Sequence, residues 1–210
     1  MQASLSFALV LLVLAGCAGE ASEDATTEST TETVQEESAT QADLADGDAS
    51  CEPERDQDVP SPGACASIAL GTTAVEVQYG SPRANGREIF GGLVPYGEVW
   101  RTGANEATVL TTNTPLSIGG EEVPAGSYGV FTIPGETEWT LILNAVADQW
   151  GAFDYDAEQD VLRTVVTPGA ADAPLEAFTI SLEPVSDTEA VMVLAWDDTR
   201  VPVELSASSS

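Results

Sequence analysis

Histidine and lysine are both absent from this chain of 210 residues. Without histidine there is no Ser–His or Cys–His catalytic couple and no histidine-based zinc site. Without lysine there is no Schiff-base chemistry and no Gly-Lys-Thr phosphate loop. Only three cysteines occur, too few for a cysteine-based metal site in a chain without histidine. No metal and no cofactor is expected. Helical periodicity is missing throughout, and the apolar run from Phe7 to Leu14 is too short for a spanning helix.

Positive charge is scarce. Six arginines face 35 acidic residues, for a net charge of −29. The acidity is not confined to a tail. Residues 18–60 hold 14 acids against Arg55, and residues 61–210 hold 21 acids against five arginines. Such a surface repels phosphate backbones, so nucleic acid is not expected as a partner. Anionic lipid surfaces are excluded on the same ground. Two readings of the charge compete. One is adaptation to a salty medium, where counter-ions screen self-repulsion and an acidic surface keeps the protein in solution. The other is binding of cations or basic partners. The complete lack of lysine is a whole-chain bias rather than a site, and it favours the halophilic reading.

The N-terminus reads MQASLSFALVLLVLAGC, an apolar run followed by small residues, as at a signal cleavage site. Leu14-Ala15-Gly16-Cys17 resembles the lipobox of bacterial lipoproteins. Residues 1–17 are therefore expected to be a lipoprotein signal peptide, with Cys17 lipid-modified and anchoring the exported protein at the cell envelope. The n-region departs from that pattern, since the terminal amine is its only cation. An ordinary cleaved signal is the alternative. The remaining cysteines, Cys51 and Cys65, enclose EPERDQDVPSPGA. In an exported chain two leftover cysteines most simply pair, and closing so short a loop gains about 3 kcal/mol in the chain-entropy model. Two free thiols are the alternative.

Residues 18–60 are rich in Glu, Asp, Thr, Ser, Ala and Gln, with few aliphatics and no aromatics. Such a segment cannot bury enough apolar surface to offset chain entropy, and it is read as a disordered acidic linker. The folded domain is placed at 61–206. From about Ser67, short alternating runs appear: Thr72–Tyr79, Ala107–Thr112, Leu116–Ile118, Glu121–Val123, Gly126–Ile133, Glu138–Asn144, Val161–Thr167, Leu175–Leu182, Ala190–Trp196 and Arg200–Leu205. Gly119-Gly120 reads as a tight hairpin turn, and Asp197-Asp198 as another turn. Many short strands with turn signals between them predict an all-β fold, an antiparallel β-sandwich or jelly-roll-like domain. Its expected core includes Val75, Val77, Leu141, Leu143, Val165, Phe178 and Ile180.

Between Gly80 and Thr108, residues 81 to 107 show no clear strand. Loops this long in compact domains tend to be functional or to pack as an ordered cap. This one has its own apolar set, including Ile89, Phe90, Val94, Tyr96 and Trp100, and is predicted to fold down as a lid. It also concentrates Arg83, Arg87 and Arg101, with Asn105 and Glu106 nearby. Guanidinium forks suit carboxylate or phosphate oxygens, so Arg83, Arg87, Trp100, Arg101, Asn105 and Glu106 form a candidate site for a small polar or anionic ligand. The competing reading, which the many acids of the chain favour, pairs these arginines with Glu88, Glu98 and Glu106 as struts. Arg101→Ala would then destabilise the fold.

The segments Tyr79-Gly80-Ser81-Pro82-Arg83, Gly86-Arg87-Glu88-Ile89-Phe90-Gly91-Gly92, Pro95-Tyr96-Gly97-Glu98-Val99-Trp100-Arg101-Thr102-Gly103-Ala104-Asn105-Glu106 and Pro124-Ala125-Gly126-Ser127-Tyr128 strongly resemble a bacterial family of unknown function, domain of unknown function 2911. Trp139, Trp150-Gly151, Tyr155-Asp156 and Leu194-Ala195-Trp196 fit the same pattern. The resemblance covers about residues 67–206. It implies an all-β, often exported protein, some members being lipoproteins, and it carries over no catalytic residue.

Asp154-Tyr155-Asp156-Ala157-Glu158-Gln159-Asp160 spaces acids as calcium loops begin. The helix–loop–helix motif fails at Gln159 and Val165, where Gly and Glu are required. A looser calcium site competes there with a solvated acidic loop. Two functions remain open. One is a non-catalytic binding or envelope-structure module with an Arg-bearing loop. The other is a hydrolase using paired carboxylates, such as Glu98, Glu106 or Asp154, on a sugar or ester.

Overall fold

A computed structural model describes residues 51–208. The expected signal peptide, the lipidation site Cys17 and the linker up to residue 50 lie outside the described residues. Ten strands follow in order: β1 (Gly63–Leu70), β2 (Thr73–Gly80), β3 (Thr108–Thr112), β4 (Leu116–Ile118), β5 (Glu121–Val123), β6 (Gly126–Ile133), β7 (Trp139–Asn144), β8 (Asp160–Val166), β9 (Gly169–Pro184) and β10 (Glu189–Ala207). One 3-10 turn, Ala157–Gln159, precedes β8. They form a six-stranded sheet ordered β1-β2-β3-β6-β7-β8 and a four-stranded sheet ordered β5-β4-β10-β9. All the pairings are antiparallel. The expected all-β sandwich is the fold found.

Alternation sets which faces meet. Along β2, Val75, Val77 and Tyr79 are buried; along β7, Trp139, Leu141 and Leu143; along β10, Met192, Leu194 and Trp196. These residues join Phe178, Ile180 and Val203 in one core between the sheets. The six-stranded sheet also covers part of its outer face. Phe131 and Ile142 pack there with Ala107, Val99, Ala152 and Tyr155. Burying side chains of this size stabilises by about 1.5–3 kcal/mol each. The β4–β5 hairpin turns through Gly119 at φ 59° and Gly120 at φ 89°, the left-handed pair a two-residue hairpin requires.

Four local expectations need correction. β1 falls where no strand was predicted, because GACASIAL lacks alternation. Val165 is 63% exposed, while Leu162 and Val166, on the opposite face of the same strand, are buried. The parity of β8 is opposite to the one assumed. Asp197 does not end a strand: β10 runs on through it, with pairing shifts on either side and Asp197 at φ 52°. Finally, residues 51–60 do not belong with a free linker. Cys51 and Cys65 form a disulfide, Gly63 N donates to Asp56 O at 3.0 Å, and Arg55 reaches the domain body.

Candidate functional site

The passage from Ser81 to Ala107 ties both sheets together. At its start, Ala84 N donates to Glu176 O at 2.7 Å and Phe178 N to Pro82 O at 2.9 Å, which fastens it to β9. Ser81 Oγ adds a bond to Phe178 O at 2.7 Å. Further on, Trp100 and Thr132 exchange backbone bonds of 2.8 and 2.9 Å, which fastens it to β6. Between these points Val94 N donates to Ile89 O at 2.8 Å and closes a compact turn. Ile89, Val94, Trp100, Ala104 and Ala107 are buried. The predicted lid is therefore an ordered part of the fold.

Aromatic rings make the join. Phe90 and Trp100 enter between Trp139 of β7 and the pair Phe178 and Trp196 of β9 and β10. Phe90 lies 4.7 Å from Trp139, and Trp100 lies 5.2 Å from Phe178, ring centre to ring centre. Trp100 stacks on Trp196 at 6.1 Å with 19° between planes. The indole N–H of Trp100 donates inside the loop, to Gly103 O at 3.1 Å.

The backbone after Trp100 is strained. Thr102 sits at φ 54°, a left-handed conformation that a β-branched residue rarely adopts. Holding it costs on the order of 1–3 kcal/mol. The surroundings enforce it: Thr102 is fully buried, its Oγ1 donates to Thr132 Oγ1 at 3.2 Å, and its carbonyl accepts from Thr108 Oγ1 at 2.7 Å. Glycine is required at two neighbours. A Cβ on Gly80 would meet Ala104 O at 2.2 Å, and one on Gly103 would meet Gly80 O at 2.9 Å. Two backbones thus touch, which fixes the segment carrying Arg101.

Beneath the lid lies a cavity of about 360 Å³ lined by Arg87, Arg101, Glu98, Leu93, Trp100 and Trp196, among others. Among the described residues no carboxylate lies within 4.0 Å of Arg83, Arg87 or Arg101; the ion pairs found are Arg55–Glu106, Arg163–Asp160 and Arg200–Glu183. The expected struts to Glu88, Glu98 and Glu106 are not made. Arg87 instead donates to carbonyls of its own turn, Nε to Ala84 O at 3.0 Å and a terminal nitrogen to Arg83 O at 2.6 Å. Arg101 is the unusual one. Its Nε is buried without a hydrogen-bond partner among the described residues. Burial also pulls its guanidinium below the usual range. An unsatisfied buried donor costs about 1–3 kcal/mol, more when charged.

The six candidate residues divide. Arg87, Trp100 and Arg101 share the cavity. Arg83 is exposed, bridges to Ala177 through its backbone and is not among the lining residues. Asn105, at φ 64°, donates to Ser61 O at 3.1 Å and fastens the approach to β1. Glu106 faces Arg55 at 3.7 Å. Sequence reasoning missed Arg55 because its partners lie far along the chain. It also missed Leu93 and Trp196 as lining residues, and no local signal marks them.

Two acids of 154–160 are engaged elsewhere. Asp156 caps the 3-10 turn, accepting from Glu158 N at 2.9 Å. Asp160 accepts from Asn144 at 2.9 Å and from the Tyr155 hydroxyl at 2.6 Å. Among the described residues, no group of three or more Cys, Asp or Glu is placed to hold a metal ion.

A family model described as "Protein of unknown function (DUF2911)" matches residues 61–205. The chain belongs to this family. No curated protein and no solved structure matches it. The Tyr-Gly-Ser-Pro-Arg and Trp-Arg-Thr-Gly-Ala-Asn-Glu segments that carried the resemblance are the two passages whose backbones meet at Gly80, Gly103 and Ala104. In this DUF2911 member they frame the arginine-lined cavity.

Proposed function

We propose that this protein is an exported, lipid-anchored, non-catalytic binding module that holds a small anion, of carboxylate type, in the cavity under its loop. The observation that carries this reading is Arg101, whose Nε is buried and unpartnered in a chain with acids to spare. Arg87 lines the same cavity without an ion pair among the described residues, so two guanidinium groups share the lining with one carboxylate, Glu98. A planar guanidinium fork matches carboxylate oxygens two at a time. Glu98, on the same lining, suits a hydroxyl or amino donor beside that carboxylate. Among the described residues Glu98 is the sole carboxylate of the lining, which weakens the hydrolase reading, because two facing carboxylates are needed for glycoside hydrolysis.

Export and anchoring rest on the apolar run before Leu14-Ala15-Gly16-Cys17 and on the disulfide Cys51–Cys65, which suits an oxidising compartment. The acid-rich, lysine-free composition supports a salty medium. The test of binding is a melting-shift series on the full chain in detergent, with acetate, lactate, succinate and phosphate against chloride at constant ionic strength. Carboxylates should raise the midpoint saturably, and Arg101→Ala should abolish the rise. Equal midpoints for all anions would overturn the reading. Anchoring is tested separately by fatty-acid labelling, which Cys17→Ser should eliminate.

A further inference from the structure

The same loop lines a second cavity of opposite character. It has a volume of about 290 Å³ and lies against Phe90, Tyr96, Trp139, Glu136, Asp198 and Thr199, with backbone from 168–170 completing the wall. No basic side chain lines it. Neither Glu136 nor Asp198 takes part in an ion pair among the described residues.

Three features place these groups with care. Tyr96 is 43% exposed, so it is not a core residue, yet it is held in position. A Cβ on Gly91 would meet the Tyr96 ring at 2.8 Å, and Gly91 stands at φ 87°, so the ring packs against a position that only glycine fills well. The next residue, Gly97, donates from its backbone to Pro134 O at 2.8 Å, which binds Tyr96 to the turn bearing Glu136. Asp198 is displayed by the irregularity in β10, where pairing shifts on both sides of Asp197 and Asp197 takes φ 52°. Bulges of this kind re-aim a side chain beside functional sites.

We propose that this second cavity binds a small organic ammonium cation. The face of an aromatic ring is negative and attracts a cation within about 6 Å, and quaternary ammonium groups are recognised by aromatic walls in this way. Two unpaired carboxylates add attraction, and the lack of a guanidinium removes the competitor. Phe90, backed by the buried Trp139 at 4.7 Å, and the exposed Tyr96 supply the aromatic lining. A hydrated sodium ion keeps its water and gains little from the rings, so the site discriminates between cations by their hydration. The proposal is independent of anion binding, because Arg87 and Arg101 do not line this cavity.

The test uses tetramethylammonium chloride against the full chain in detergent, with ionic strength held by sodium chloride. Saturation transfer from protein protons to the ligand methyls reports binding. The signal should saturate with tetramethylammonium and weaken at least tenfold in affinity in Tyr96→Ala and in the Glu136→Gln/Asp198→Asn double variant. Arg101→Ala should leave it unchanged. Melting midpoints close to that of the parent protein serve as the folding control for these exposed positions. Equal transfer in the parent and in Tyr96→Ala would overturn the proposal. So would saturable transfer to a neutral sugar such as glucose, lost in Tyr96→Ala, with none to tetramethylammonium.

Discussion

Arg55 reaches from the N-terminal segment to Glu106, the last acid of the loop. Its guanidinium donates to the Glu106 carbonyl at 3.1 Å, to the Gln78 carbonyl at 3.3 Å and to the Ala107 carbonyl, and its charge sits 3.7 Å from the Glu106 carboxylate. Its side chain is 12% exposed. The arginine that serves as a strut is thus Arg55, outside the loop, and not one of the three within it. Burial pulls its guanidinium below the usual range, and Glu106 and Glu54 partly offset this.

Arg55→Ala should therefore destabilise the protein by about 2–4 kcal/mol, since several charge-assisted bonds to buried carbonyls are lost together. Denaturant unfolding in high salt measures this. Arg101→Ala, by contrast, removes an unsatisfied donor and should leave the midpoint nearly unchanged. A large loss for Arg101→Ala with little for Arg55→Ala would reverse the roles assigned here. A fragment starting at Ser61 would lack Arg55 and should be less stable for the same reason.

Gly80→Ala places a methyl 2.2 Å from the Ala104 carbonyl oxygen, where backbone and not a flexible side chain must yield. The cost is about 1–3 kcal/mol or more. Because Ala104 follows the segment bearing Arg101, carboxylate binding should weaken as well. Gly86→Ala offers a contrast: nothing lies within 4 Å of its Cβ, and only the φ of 68° opposes it. Paired unfolding and binding measurements on the two variants separate crowding from backbone strain.

The Tyr155 hydroxyl is pushed up to about 12, chiefly by burial and then by its hydrogen bond to Asp160. The unfolded chain loses this proton near the ordinary value of about 10. Above that pH the unfolded state holds fewer protons than the native state, so stability falls as pH rises from about 10 to about 12. Tyr155→Phe should flatten part of that alkaline loss, although it also forfeits the bond to Asp160 at neutral pH. Melting midpoints from pH 9 to 12 test the sign.

Self-repulsion of so acidic a chain should make stability depend on salt. Raising sodium chloride from about 0.1 M to about 1 M shortens the screening length from about 10 Å to about 3 Å. The melting midpoint should climb by several degrees over this range and then level off. A midpoint that falls with added chloride would contradict the halophilic reading.

Much of this architecture can be read from the chain. Residues 73–77 and Leu116–Ile118 alternate in burial, and Gly119-Gly120 announces its hairpin, because period-two burial and glycine turns are local effects. β1 could not be seen. Its Ala64, Cys65 and Ala66 are small, and it is a strand by virtue of pairing with β2, Gly63 opposite Gly80. Asp197 reads as a turn because its left-handed conformation is a turn conformation, used here inside a strand. The loop was recognisable by its apolar set, but the partners of its arginines were not. Glu88 and Glu98 are near in sequence yet unpaired, while Glu106 is taken by Arg55, 51 residues away. Side-chain pairing at that range depends on the finished fold.

Residues 81 to 107 form a fixed lid joining the two sheets. Native-state hydrogen exchange tests it most directly, at the amides of Ala84, Val94 and Trp100, which donate to Glu176, Ile89 and Thr132. They should exchange on the timescale of strand amides such as Val77 and Leu141. Exchange at the rate of an unfolded chain, with the strands still protected, would contradict the account.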